Sequence, residues 1–180
     1  MRRTDEPFIL ETLKLTDAES LCKTMISNSG RFKLFFPITL AQNLSIEAST
    51  AFIRKKIREN KKGTEFTLGI KERQNLSVVG LIILKELNYE KGVGELAYCI
   101  GVKYQGKSWT TKGVRHMCHY AFEELKLDRL RIIVHSSNIG SLKVAKSCGF
   151  KWKSTLVQEY TPPGSVPMDM ELYELRKSEI

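Results

Sequence analysis

The stretch from Glu95 to Val134 constrains the fold more than any other part of the chain. Glu-Leu-Ala-Tyr-Cys-Ile-Gly-Val at 95–102 reads as a strand. Val114, Met117, Cys118, Ala121, Phe122 and Leu125 then recur on one helical face, and Leu130 to Val134 is a short strand rich in β-branched residues. Strand, helix and strand in that order form a crossover unit, which places a helix over a sheet that is at least partly parallel.

The rest of the chain supplies hairpins and covering helices. Ile9 to Leu15 alternates as a strand, and Thr16-Asp-Ala-Glu19 reads as a capping box opening a helix with Leu21, Cys22, Met25 and Ile26 inward, closed by Gly30. An apolar loop, Phe32 to Leu40, leads to a helix capped by Ser45 that runs to about Asn60, with Arg54, Lys55, Lys56 and Arg58 on its exposed side. Phe66, Leu68 and Ile70 mark a strand, Gln74-Asn75 a turn, and Ser77 to Leu87 a buried strand followed by a turn at 88–94. Beyond the crossover, Asn138 or Ser137 caps a helix ending at Gly149, and Lys151–Tyr160 and Met168–Leu175 are strands separated by Pro162-Pro163-Gly164. The order βααβββαβαββ predicts an α/β fold with a central twisted mixed sheet flanked by helices. A chain of 180 residues without internal repeats is expected to be one domain, 1–180.

Charge narrows the partners. Twenty-nine Lys and Arg against twenty Asp and Glu leave +9, which favours anionic partners. The basic run Arg54 to Lys62 is read first as a solvated helix face, with steering of an acidic substrate as the alternative; no RNA-binding pattern accompanies it, so nucleic acid is not the expected partner. Cys22, Cys99, Cys118 and Cys148 form no C-x-x-C pair, and His116, His119 and His135 have no carboxylate cluster beside them, so no metal is expected. Cys118 and Cys148 read as packing residues. No apolar run is long enough for a membrane span or a signal-peptide core, and the expected location is the cytoplasm.

Between the 95–102 strand and its helix lies Lys103-Tyr-Gln-Gly-Lys-Ser-Trp-Thr-Thr111, small and polar where a helix begins. Free backbone N–H groups and the positive end of the helix dipole there can hold a phosphate or pyrophosphate, and Lys107 adds charge. A plain turn also needs small residues. The spacing is neither G-x-x-x-x-G-K-[ST] nor G-x-G-x-x-G, which argues against ATP and NAD.

Residues 95–108, with Asp128 to Phe150 including Asn138-Ile-Gly-Ser141 and Cys148-Gly-Phe150, resemble the acetyl-CoA-binding segment and following unit of GNAT acetyltransferases. Within that superfamily the resemblance is to the Rim-type ribosomal-protein N-terminal acetyltransferases. It implies acetyl-CoA as cosubstrate, with Ile100 and Val102 offering strand backbone groups to the pantetheine arm. The N–H groups of Gly106, Lys107, Ser108, Trp109, Thr110 and Thr111 then surround the pyrophosphate. Gln105 takes the first position of the family pattern Gln/Arg-x-x-Gly-x-Gly/Ala. Ser108 and Thr110 depart from it, although their hydroxyls can donate to phosphate. Trp109 is expected beneath this loop, and Gly113 is expected to serve close helix packing.

The resemblance further implies Glu95 as a water-relayed base, Ser141 as proton donor to the departing thiolate, and Asn138 as a hydrogen-bonding partner of the CoA arm or a helix cap. The function expected is direct transfer of an acetyl group to a primary amine, with a protein N-terminal α-amine as the leading acceptor and an acidic protein as the partner that the net charge favours. A small amine is the alternative acceptor. A non-catalytic module that senses CoA or binds acidic protein or RNA is the alternative from another class.

Overall fold

The computed structural model describes residues 6–162 and 164–179. Seven strands, β1 (Phe8–Thr12), β2 (Phe66–Glu72), β3 (Val78–Asn88), β4 (Val93–Ile100), β5 (Arg129–Val134), β6 (Lys151–Tyr160) and β7 (Met168–Arg176), form one sheet in the order β1-β2-β3-β4-β5-β7-β6. Neighbours pair antiparallel except β4 and β5, which are parallel because helix α5 (Trp109–Glu123) carries the chain back between them. The mixed α/β sheet expected from the element order is therefore the observed one.

Helix α5 and helix α6 (Ile139–Ser147) cover one face. Helices α1 (Ala18–Ser27), α2 (Ser29–Phe35), α3 (Pro37–Ala41) and α4 (Ile46–Lys62) cover the other. Period-two alternation sorts the strands between them: Ile82, Leu84 and Leu96 pack with Val114, Met117 and Phe122, whereas Leu81, Ile83 and Cys99 pack with Leu21, Met25 and Ile53. Gly113 permits the close seat of α5, since a Cβ there would lie 3.0 Å from Ile82 Cγ1 and 3.3 Å from Leu10 Cδ2. The expected caps also form. Ser45 Oγ accepts from Ala48 N–H at 3.1 Å, Asn138 Oδ1 accepts from Ser141 N–H at 3.2 Å, and Gly149 at φ +88° follows α6.

Several local expectations are corrected. β1 stops at Thr12 because the Asp17 carboxylate accepts from Lys14 N–H at 2.7 Å and opens a 3-10 turn, Leu15–Asp17, in place of the capping box at Thr16. Gly30 lies inside α2, and the presumed apolar loop is the pair α2 and α3, broken at Phe36 where Pro37 starts a new helix. Ile26 is exposed, leaving Ala18, Leu21, Cys22 and Met25 as the inward stripe of α1. Lys56, placed with its basic neighbours on the solvent side, is buried, because its ammonium pairs with Glu59 at 3.0 Å and Glu65 at 2.5 Å. A second buried cation, Lys71, bonds Glu11 Oε1 and Asp17 Oδ2, each at 2.7 Å, and ties β1, β2 and the 3-10 turn together.

Candidate active site

The parallel pairing of β4 with β5 extends only over Val93–Arg129, Gly94–Leu130 and Glu95–Arg131, although β4 continues to Ile100 and β5 to Val134. Past Glu95 the two strands part, and a cavity of about 640 Å³ fills the fork, lined by Leu96 to Ile100 on one arm and Ile132 to His135 on the other. Gly101 N–H donates to Val79 C=O at 2.8 Å, so antiparallel alternation turns the backbone groups of Ile100 and Tyr98 away from β3 and towards the fork. An open strand edge of this kind can pair with an amide-bearing ligand.

At the open end of β4 the chain passes through a 3-10 turn, Val102–Tyr104, into the start of α5. Gly106 at φ +75° and Ser108 at φ +61° turn the backbone back on itself, and among the described residues none of the N–H groups of 106–111 has an acceptor. These donors sit on the positive end of a 15-residue helix, an anion cradle made of main chain. A Cβ on Gly106 would meet nothing within 4 Å, so the cradle opens outward. Ser108 keeps the left-handed backbone that a glycine would adopt freely, which explains how the departure from the family pattern is accommodated. Gln105, Gly106, Ser108, Trp109, Thr110 and Thr111 line the cavity. Trp109 is buried beneath the turn, its ring 5.3 Å from Phe8 and 5.2 Å from Tyr104. Lys107 instead lies over the Tyr104 and Trp109 rings, at 5.1 and 5.3 Å.

The other expected residues fall in different places. Ser141 and Asn138 line the cavity at the start of α6, with the Ser141 hydroxyl donating to the Tyr98 hydroxyl at 3.1 Å. Ile100 also lines it, but its carbonyl accepts from Arg31 Nη2. Val102 does not belong to the strand: it is exposed in the 3-10 turn, and its N–H donates to Asn28 Oδ1 at 2.8 Å. Glu95 sits at the vertex of the fork, outside the cavity lining, 2.8 Å from Lys85 Nζ. Its side chain shares a strand face with Ala97, two residues further on, which does line the cavity, so a proton can reach it only through an intervening group.

Three lining residues carried no sequence signal: Tyr98, Arg31 and Tyr160. Tyr98 lay inside an apolar strand run, Arg31 beside a stretch that read as loop, and Tyr160 at a strand end where only tertiary structure shows what it faces. Burial raises the pKa of Tyr98 well above the usual phenol range, keeping it neutral. Cys99 also lines the cavity, but burial pushes its thiol up to about 12, so it remains protonated and is no nucleophile at neutral pH. Among the described lining residues there is no carboxylate; those able to carry positive charge are Arg31, Lys143 and His135.

The residues present fit an acetylated CoA: a main-chain anion cradle, an open strand edge and a cavity of adequate size adjoin one another. The profile of the Acetyltransferase (GNAT) domain matches residues 8–151. A Bacillus subtilis (strain 168) protein provisionally named ribosomal N-acetyltransferase YdaF is 31% identical over 153 residues, covering 82% of this chain and 80% of the relative. An uncharacterized N-acetyltransferase, p20, of Bacillus licheniformis is 24% identical over 174 residues, 97% of this chain and 95% of that protein. The crystal structure of a ribosomal-protein-S5-alanine acetyltransferase from Vibrio fischeri shares the fold, with a TM-score of 0.89 and 16% identity over 98% of this chain and 96% of that one.

Proposed function

The chain belongs to the GNAT acetyltransferase family and is an acetyl-CoA-dependent N-acetyltransferase, and from that premise we propose that its acceptor is the α-amine of a protein N-terminus. The observation that carries this reading is the absence of any carboxylate among the described residues lining the cavity. A polyamine brings further ammonium groups that need anionic partners, and this cavity offers cations instead. A lysine ε-amine, with a pKa of about 10.4, must lose its proton to a strong base, whereas an α-amine at about 7.7–8.0 is neutral hundreds of times more often at pH 7.

Acetyl-CoA supplies the activated acyl thioester when bound. The N–H groups of 106–111 hold its pyrophosphate, and the outward-facing backbone of Tyr98 with the N–H of Ile100 pairs with the arm between, while Asn138 Nδ2 is free to donate because Oδ1 serves the helix cap. A strand N–H polarises the reacting carbonyl. Glu95 accepts the proton of the residual ammonium fraction through a water, and Ser141 Oγ relays the proton that the attacking amine gives up to the departing thiolate. The protonated state of Cys99 favours direct transfer without an acyl-enzyme. All four cysteines are free thiols, in keeping with a reducing cytoplasm.

Competition between a peptide with a free N-terminus and its N-blocked, lysine-containing counterpart, with spermidine as a third acceptor, tests the assignment. Preferential acetylation of the free N-terminus is expected; faster transfer to the blocked peptide or to spermidine would overturn it.

A further inference from the structure

Arg31 is a half-buried cation without a counter-ion. Its Nη2 donates to the Ile100 carbonyl, its guanidinium lies 5.1 Å from the centre of the Phe32 ring, and no carboxylate among the described residues pairs with it. Its Nε is buried without a partner. A guanidinium so placed has lost water and gained one neutral oxygen and a ring face, which leaves its charge undercompensated.

The second unsatisfied group of the cavity is the hydroxyl of Tyr160, also buried without a partner. Tyr160 pairs with Met168 across the β6–β7 ladder, and cross-strand partners share a face. Tyr173 and Leu175 of β7 pack in the core under α5, so alternation puts Met168 and Met170 on the opposite face, the one from which α2 delivers Arg31. Arg31 on α2, bonded to the β4 arm at Ile100, and Tyr160 at the end of β6 therefore both line the cavity on the side away from the main-chain cradle at α5. The anion cradle for the cosubstrate and these two donors approach the cavity from opposite layers of the protein.

We propose that Arg31 and Tyr160 form an acceptor-recognition site that binds a carboxylate carried within the first two residues of the acceptor peptide. This rests on the α-amine reading above. A carboxylate supplies the charge that Arg31 lacks and has oxygens enough for Arg31 Nε and the Tyr160 hydroxyl together, so both buried donors are satisfied only when such an acceptor is seated. Amide or cationic side chains at the same place leave the guanidinium without its anion or oppose it directly.

The test is the ratio of kcat/KM for two peptides that begin Ser-Asp and Ser-Asn and are otherwise identical. The wild-type enzyme is expected to prefer the Asp peptide by roughly 10–100-fold, mainly through KM, as a charge-assisted contact in a water-poor site predicts. Arg31→Gln should bring the ratio close to one, and Tyr160→Phe, which keeps the ring and its packing, should lower it several-fold. Acetyl-CoA affinity measured by calorimetry should stay within about two-fold of wild type in Tyr160→Phe, because that residue lies on the side away from the cradle. If Arg31→Gln fails to fold, Tyr160→Phe reads the same ratio. Equal rates for the two peptides, or a ratio that survives the substitutions, overturn the carboxylate site and leave the α-amine assignment standing. Transfer to neither peptide alongside transfer to lysine or spermidine overturns both.

Discussion

The hydroxyl of Tyr98 donates to the backbone carbonyl of Ser141 at 2.9 Å, and the Ser141 hydroxyl donates back to Tyr98 at 3.1 Å. This reciprocal pair spans from β4 to the first turn of α6, so it links the strand arm of the fork to the helix that brings Ser141 and Asn138 to the cavity. In the proposed mechanism Tyr98 acts only through Ser141, as a positioning residue.

Tyr98→Phe is accordingly expected to cost about 1–2 kcal/mol, a fall of roughly 2–8 °C in Tm, because the carbonyl and the hydroxyl of Ser141 both lose a partner. Ser141→Ala should lower kcat by roughly 10²-fold while acetyl-CoA affinity stays near wild type. Thermal denaturation and steady-state kinetics separate the two effects, and a wild-type kcat in Ser141→Ala would remove that hydroxyl from proton relay.

Saturating acetyl-CoA, at about 100 times its Kd, should stabilise the protein by about 2.7 kcal/mol and raise Tm by roughly 5–10 °C. Gly106→Val should abolish the rise, since φ +75° is closed to a β-branched residue and its side chain would enter the open side of the cradle. Ser108→Gly should raise the Tm of the free protein by about 1–4 °C, relieving a left-handed serine, and should keep the ligand-induced shift.

For Glu95→Gln we expect a fall in kcat of roughly 10²-fold, with acetyl-CoA binding nearly intact. The substitution should also alter the pH dependence of the rate, because removal of the acceptor's proton then falls to solvent. The rise towards pH 8, set by the acceptor amine itself, should remain. An unaltered pH–rate profile would assign deprotonation to solvent, an outcome made concrete by the position of Glu95 at the vertex and its pairing with Lys85.

Acid stability should depend on Glu11. The hydrogen bond from Lys71 holds its carboxyl below the usual range, with Lys14 adding to the effect. A pKa depressed in the folded state gives stability that is present above the unfolded value, near 4.3, and lost as pH falls through the folded one. Glu11→Gln should therefore lower Tm at pH 7 and shrink the loss of stability on acidification below about pH 4.5. Equal acid sensitivity of the two proteins, followed by circular dichroism against pH, would show that Lys71 is held by Asp17 alone.

The parts of this site made from main chain and periodicity were legible in the sequence. Alternation placed β4, helical spacing placed α5, and the small polar run between them marked the turn whose N–H groups stay free. The acceptor side was not legible, because it depends on what approaches across the sheet. Arg31 became a site residue only once α2 docked against the end of β4, and Tyr160 only once β6 paired with β7. Lys56 looked like a surface charge for the same reason: Glu65, which pairs with it alongside Glu59 of its own helix, lies beyond the end of α4. Val102 was placed in the strand because apolar character continues past Ile100, whereas the capture of its N–H by Asn28 ends the ladder there.

The short pairing at the vertex also makes the sheet a book with two leaves, β1 to β4 and β5 to β7, bound along a narrow spine. Gly94 is at that spine, opposite Leu130, and a methyl group on it would come within 2.9 Å of Leu84 Cδ1, 3.1 Å of Leu87 Cδ2 and 3.2 Å of Leu127 Cδ1. Bulk introduced there pries at the binding while touching nothing that a ligand touches. A side chain at position 94 must therefore displace the leucines packed along the spine, none of which lines the cavity between the leaves.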